Sequence, residues 1–418
     1  MKLFFKTYKS SIILLCSIVL GGAIGIIFGT KTSILKPFGD LFLNLMFMII
    51  VPLVFFNVTS AIANMNGMKR LAKIMGSIVI VFFSTALVAA IIGLIGALII
   101  NPTKGIDYSI IKKVITEIPS SSQKLKHLGA LQQFVNTVTV TDFVGLFSKN
   151  NMLQLILFSI LFGISTAMLG EKGEPVAKFL ESASNIVMNM VKIIMYYAPI
   201  GLGCYFAAII GELGPQILQG YLRVFILYII LTVIYYLAFF TFYAFLANGK
   251  DGVKTFWKNA LPPTITSLAT CSSAACIPIN LEAAKKMGVP EDIAETVIPL
   301  GANIHKDGSV FGGIMKIIFL FGLFGKNLNS ISTLLGIILV AFLVGAVMGA
   351  IPGGGMIGEM LILSVYGFPP ECLPIIAVIS TIIDAPATVL NSTGNTVCAM
   401  MVTRMVEGKE YIENSLRM

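Results

Sequence analysis

Charge is scarce in this chain. Of 418 residues only 12% are Asp, Glu, Lys or Arg, whereas 56% are hydrophobic, and the mean hydropathy is +0.92. Soluble domains carry roughly 25% charged residues to keep their surface in water, so a water-soluble globular fold is excluded. Histidine is scarcer still: His127 and His305 are the two in the chain, which rules out a His-rich metal centre. The six cysteines, Cys16, Cys204, Cys271, Cys276, Cys372 and Cys398, sit mostly in apolar sequence and form no C-x-x-C pair. They read as small buried thiols rather than a disulfide or zinc framework. No activated Ser–His pair or metal set is evident either, which argues against a membrane-embedded enzyme.

What the chain has instead is long apolar runs, such as 11–29, 41–64 and 76–100. Each is long enough to cross a hydrocarbon core of roughly 30 Å as a helix. Lys2, Lys6 and Lys9 precede the first run as in a signal peptide, but no A-x-A-type site follows, so it reads as a retained first helix. The formal charge of +9 is explained by membrane orientation rather than by nucleic acid. Lys69, Arg70 and Lys73, then Lys250, Lys254 and Lys258, then Arg404, Lys409 and Arg417 fall on the same side as the first cluster if both termini are cytoplasmic. Lys112, Lys113, Lys124 and Lys126 depart from this pattern in the longer polar stretch 101–149.

The character changes near residue 255. The stretches 259–288 and 345–358 are too rich in Pro, Gly, Ser and Thr for ordinary spans. Irregular backbone at membrane depth survives only when buried in protein or lining a wet cavity. The sequence therefore predicts two re-entrant helical hairpins, each followed by a span with polar residues in its middle. That arrangement suits an inverted-repeat transporter with broken helices. A channel with two pore loops is a competing reading, which saturable exchange across vesicles excludes.

Three polar clusters carry the chemistry. In the last span, 372–406, Asp384, Thr388, Asn391 and Asn395 recur at i, i+4, i+7 and i+11, one narrow helix face. An ionised Asp at the midplane needs a cation or a bound ammonium, although a structural tie to backbone or lysine remains open. In 293–325, Gly301, Asn303, His305, Lys306, Asp307, Gly308 and Ser309 place successive ionisable residues in apolar sequence. A local break there exposes carbonyls to a cation or substrate. Ser272 and Ser273, before Pro278, offer hydroxyls and free amides to a carboxylate.

The order of these clusters resembles the dicarboxylate/amino acid:cation symporters, a family that includes glutamate and neutral amino acid transporters. Ser272-Ser273-Ala274-Ala275-Cys276-Ile277-Pro278 is similar to its serine-rich first tip. The stretch from Pro299 to Ser309 resembles its P-L-G-A-x-I-N-M-D-G-T break. Ile351-Pro352-Gly353-Gly354-Gly355 resembles its second tip, and Asp384 through Asn395 its D-x-x-R-T-x-x-N-x-x-G-D. Pro52, Asn101-Pro102 and Tyr197-Ala198-Pro199-Ile200-Gly201 fit collinearly upstream.

The resemblance implies an all-α polytopic membrane protein with inverted repeats: eight transmembrane helices and two hairpins, assembled as a homotrimer in a prokaryotic inner membrane, its lipids the surrounding partner. Scaffold helices fall in 1–72 and 101–213, and an elevator-like transport domain in 73–100 and 214–418. It also implies a small amino acid substrate. Ser273, the amides near it and Asn391 then serve its carboxylate, Asp384 and Thr388 its ammonium, Ile351 and Gly353 close over it, and Ser272 and Ser309 also line the substrate site. No cofactor is implied beyond Na+ or H+ as coupling ion.

The departures sharpen the reading. Ala387 stands where acidic-substrate members carry Arg, which disfavours glutamate and aspartate. The retained Asp384 disfavours a dicarboxylate without an amino group, so a neutral amino acid is expected. The family's sodium ligands align with Gly301, His305, Lys306, Asp307, Asn391 and Asn395, and with Ser84 and Thr85 on the third span. The sodium site is thus degraded, and Lys306 is expected to act as a tethered cation in the ion region, with His305 opening a route to proton coupling.

Overall fold

The computed structural model of the chain describes residues 2–63, 69–103, 139–148, 151–213, 216–348, 355–369 and 372–408. All regular elements among the described residues are helical. Helix α1 (Lys2–Phe28) runs through a 3-10 turn (Gly29–Leu35) into α2 (Lys36–Ala63), and α3 (Lys69–Ile100) follows. The single turn α4 (Phe143–Leu146) is capped by Asp142, which accepts from the Gly145 amide at 2.6 Å. Then come α5 (Met152–Met168), α6 (Glu174–Met195) and α7 (Ala198–Leu213). α8 (Gln216–Ile234) passes through a π turn (Tyr235–Phe239) into α9 (Phe240–Asn259). The remaining helices are α10 (Leu261–Thr270), α11 (Ile277–Lys286), α12 (Glu291–Ile304), α13 (Asp307–Leu323), α14 (Ile331–Val347), α15 (Gly355–Tyr366) and α16 (Leu373–Glu407).

Among the described residues, four helical stretches are long and apolar enough to cross a membrane: Cys16–Phe42, Lys73–Ile100, Leu218–Asn259 and Leu373–Glu407. Shorter apolar helices include Gln154–Met168, Ala198–Glu212 and Ile331–Val347. The chain is a multi-pass membrane protein.

The helices sort into two packing groups. α1 lies along α7, and α2 packs on α5, α6 and α7. Polar contacts tie this group: Thr32 donates to the Ala207 carbonyl at 3.0 Å, and Ser184 to Asn57 at 2.6 Å. The second group is α3 with α8 to α16, and α16 runs through its centre against α3, α8 to α13 and α15. That position explains why α16 keeps polar side chains at membrane depth. Its Asn391, Ser392, Thr393, Asn395 and Thr396 are all buried, and a buried polar group needs partners from neighbouring helices. Asn280 on α11, for instance, donates to the Ser392 carbonyl at 3.0 Å and its hydroxyl at 2.8 Å.

Two local breaks position the site. α10 and α11 are ten residues each, about 15 Å at 1.5 Å per residue, and they pack on each other. Both open with proline in the first turn, where the missing N–H costs nothing. α10 ends on Cys271 at φ 48°, which among the described residues is the non-glycine with positive φ. The second break divides the stretch read as one span over 293–325. His305 is extended (φ −101°, ψ 108°) and Lys306 is non-helical (φ −139°, ψ 59°) between α12 and α13. Close approach then demands glycine: a Cβ on Gly308 would lie 2.4 Å from the Ala387 carbonyl oxygen, and one on Gly301 would lie 2.3 Å from Asn395 Oδ1. The second predicted tip, with Ile351 and Gly353, lies outside the described residues; α14 and α15 flank it and pack together.

Candidate functional site

Three elements converge on one cavity. The turn between α10 and α11 contributes Ser272 and Ser273, the α12–α13 break contributes Lys306 and Ser309, and α16 contributes Asp384, Thr388 and Asn391. Met348 and Gly355, on either side of the second tip, complete the wall. The α16 residues enter together because i, i+4 and i+7 share a face. Lys306 Nζ donates to Ser273 Oγ at 3.0 Å, with both side chains buried. Asp384 is exposed to the cavity. Asn391 is oriented by Ser309: its Oδ1 accepts from the Ser309 amide at 3.2 Å and its Nδ2 donates to Ser309 Oγ at 3.1 Å. The break itself is pinned from α8, where Tyr228 donates to the Gly308 carbonyl at 2.7 Å. The cavity thus presents a lysine, a carboxylic side chain, hydroxyls and an amide to one small volume.

A neighbouring cavity of about 150 Å³, which also reaches Phe42 on α2 and Leu202 on α7, shares Ser309, Asp384 and Asn391 with the first and adds Ala387, Lys316 and Glu359. Ala387 leaves room where a long side chain would stand. Lys316 Nζ is 3.2 Å from Glu359 Oε1, with side chains 2% and 0% exposed, and Ser380 donates to the same oxygen.

A second polar cluster lies behind the break. His305 Nδ1 is 2.9 Å from Asn395 Oδ1, and its Nε2 is 3.1 Å from Asp307 Oδ1 and 2.8 Å from Thr85 Oγ1. The ring stacks on Phe82 with centroids 4.4 Å apart. Tyr235, in the π turn, donates to Asp307 Oδ2 at 2.9 Å and lies 3.0 Å from the Tyr243 hydroxyl. A π turn at such a place is a common device for aiming a side chain into a site. The oxygens of Thr85, Asp307 and Asn395 form part of a donor set suited to a hard cation, but the imidazole fills the space among them.

Two expectations are corrected by this geometry. The sequence reading puts Lys306 in the ion region beside Asp307 or Asn395. The break turns its side chain the other way, onto Ser273 in the cavity with Asp384, because successive residues at the break project in different directions. It is His305 that contacts Asp307, Thr85 and Asn395. Ser84 does not join Thr85 there: adjacent residues on a helix point about 100° apart, and Ser84 is exposed with its hydroxyl on the Ile80 carbonyl at 2.7 Å. Gly301 does belong to the cluster, against Asn395. Tyr228, Tyr235, Phe82, Lys316 and Glu359 are added by the structure.

The matched family model covers residues 11–405 and is described as the sodium:dicarboxylate symporter family. The chain belongs to the sodium:dicarboxylate symporter family. This is a family of membrane transporters, and its model spans both packing groups and both cavities. Among similar relatives, a proton/sodium-glutamate symport protein of Bacillus caldotenax is 28% identical over 409 residues, covering 94% of this chain and 95% of its own. A C4-dicarboxylate transport protein of Bacillus subtilis is 28% identical over 412 residues, covering 96% and 94%. A C4-dicarboxylate transport protein of Brucella anthropi is 30% identical over 400 residues, covering 93% and 87%.

Proposed function

We propose that the chain is a secondary active transporter of a neutral amino acid. The observation that supports this most directly is the cavity that Lys306 and Ser273 share with Asp384 and Thr388. An amino acid zwitterion needs a donor-rich partner for its carboxylate and an anionic partner for its ammonium. Lys306, Ser273 and Ser272 take the carboxylate, with Asn391 and Ser309 beside them. Asp384 and Thr388 take the ammonium, and Ile351 and Gly353 close over the substrate. Ala387 offers no fork for a side-chain carboxylate. A second reading, transport of an acidic amino acid or a dicarboxylate, matches the names of the relatives and is favoured by the ammonium of Lys306. Binding of alanine, serine, threonine, glutamate, aspartate and succinate to purified protein separates the two. Preference for the neutral zwitterions is expected; tight binding of aspartate or succinate to the wild type overturns the reading.

Movement follows an elevator scheme in a homotrimer. α1, α2 and α5 to α7 serve as scaffold, and α3 with α8 to α16 as the mobile domain. The α10–α11 pair is re-entrant, about half a bilayer deep by its length. Its base carries exposed ion pairs, Lys285 to Glu291 and Lys286 to Glu282, both at 2.6 Å, which belong at the water boundary. There, hydrogen bonds from the lysines hold both carboxyls below their ordinary range. The protein sits in the plasma membrane with both termini cytoplasmic, and α14 and α15 carry the gate.

Sodium coupling is weakened in this scheme, with His305 rather than Lys306 standing in for an ion. The imidazole contacts Thr85, Asp307 and Asn395, the side chains a cation would need. Asn395 replaces a carboxylate, which removes a charge that sodium would neutralise. Substrate affinity in sodium and in an organic-cation buffer of equal ionic strength is expected to agree within about tenfold. A sodium dependence of about a hundredfold or more overturns this part of the reading.

A further inference from the structure

The neighbouring cavity is lined by a charge pair that the amino acid head group does not use. Lys316 on α13, Glu359 on α15 and Ser380 on α16 meet at its wall, and the cavity shares Asp384 and Asn391 with the space assigned to the head group. Ionisable side chains inside membrane helices are costly and mark function when they line a cavity. Here the pair is incomplete. Glu359 Oε1 takes both Lys316 and Ser380, whereas Glu359 Oε2 is buried with no hydrogen-bond partner among the described residues. An ammonium has three N–H donors, so Lys316 also has donors beyond the one directed at Glu359. A free acceptor and spare donors therefore lie side by side, almost fully buried, in the wall of a cavity of about 150 Å³.

We infer that Lys316 and Glu359 form a side-chain subsite that selects neutral amino acids whose side chain both donates and accepts hydrogen bonds, a carboxamide or a hydroxyl. This rests on the neutral amino acid reading. The carbonyl or hydroxyl oxygen of the side chain accepts from Lys316, and its N–H or O–H donates to Glu359. The pair is neutral as a unit, so an acidic or basic substrate side chain brings an uncompensated charge into a low-dielectric wall. An apolar side chain of the same shape leaves the buried Glu359 oxygen unpaired, and sites with buried polar groups reject such analogues strongly. Ala387 contributes a short side chain to the wall of this cavity.

The test compares near-isosteric pairs on the purified full-length protein: threonine against valine, and glutamine against methionine, with alanine as the head-group reference. The wild type is expected to prefer the polar member of at least one pair by about tenfold or more. The threonine pair reports a hydroxyl and the glutamine pair a carboxamide. In Lys316→Met/Glu359→Leu that preference falls within about threefold, while alanine affinity stays within about threefold of wild type, which also establishes that the variant is folded. Glu359→Gln, which keeps the shape and leaves Lys316 uncompensated, is expected to gain about tenfold in glutamate affinity. Alanine binding with no discrimination in either pair overturns this inference alone. Failure of every zwitterion to bind overturns the neutral amino acid reading and this inference with it. Preference retained in the double variant overturns the assignment of the subsite to Lys316 and Glu359.

Discussion

Replacing Lys306 by methionine gives an effect whose direction is diagnostic. Lys306 is 4% exposed and donates to Ser273 at 3.0 Å in the cavity it shares with Asp384. If its ammonium receives the substrate carboxylate, Lys306→Met removes a desolvated, hydrogen-bonded charge partner. Such a loss costs about 2–5 kcal/mol, or about 30- to 4,000-fold in Kd at 1.4 kcal/mol per decade. If Lys306 only neutralises Asp384, the variant frees that carboxylate for the substrate ammonium and binding tightens. Methionine preserves the unbranched shape. Packing beside Gly345, where an added Cβ would lie 3.7 Å from Lys306 Cβ, is therefore disturbed little. Isothermal titration of the preferred amino acid, with thermal unfolding as a control on folding, reads the sign. Weakening of about thirtyfold or more is expected. Unchanged or tighter binding refutes the assignment of Lys306 to the carboxylate.

Three further outcomes are expected. Asp384→Asn abolishes measurable amino acid binding, a loss of about 2–5 kcal/mol, while the oligomer seen by size-exclusion chromatography persists; retained affinity places the ammonium elsewhere. Ala387→Arg raises glutamate affinity relative to alanine by about tenfold or more, through the bidentate fork that alanine lacks; competition binding with both ligands measures it. His305→Asn combined with Asn395→Asp restores oxygen donors to the ion region, so substrate affinity gains a sodium dependence of about tenfold or more; no gain in sodium titrations counts against His305 as the replacement.

How much of this is legible in the chain varies with the physical signal. The α16 stripe of Asp384, Thr388 and Asn391 is readable because a helix repeats its faces with a fixed period, and all three residues line the cavity. The α10–α11 turn is readable because proline, serine and threonine crowd a stretch too polar for an ordinary span. The orientation of Lys306 is not, since it depends on two backbone residues outside helical geometry rather than on any periodicity. The contact of His305 with Thr85 joins positions 220 residues apart, beyond the reach of local pattern. Tyr235 is unremarkable within an apolar run, and only the π turn reveals its aim at Asp307. Lys316 and Glu359 do carry a sequence signal, as ionisable residues inside apolar helices, yet their pairing requires the packing of α13 against α15.

The central claim is that this chain moves a neutral amino acid through the cavity that Lys306 shares with Asp384. Counterflow measures it directly: purified protein is reconstituted into liposomes loaded with unlabelled alanine, serine or threonine, then diluted into sodium-free buffer with the same labelled amino acid outside. The predicted result is saturable counterflow of the neutral amino acid, little inhibition by external aspartate or succinate, and loss of counterflow in Asp384→Asn. Robust counterflow of aspartate or succinate in place of the neutral amino acids contradicts the claim.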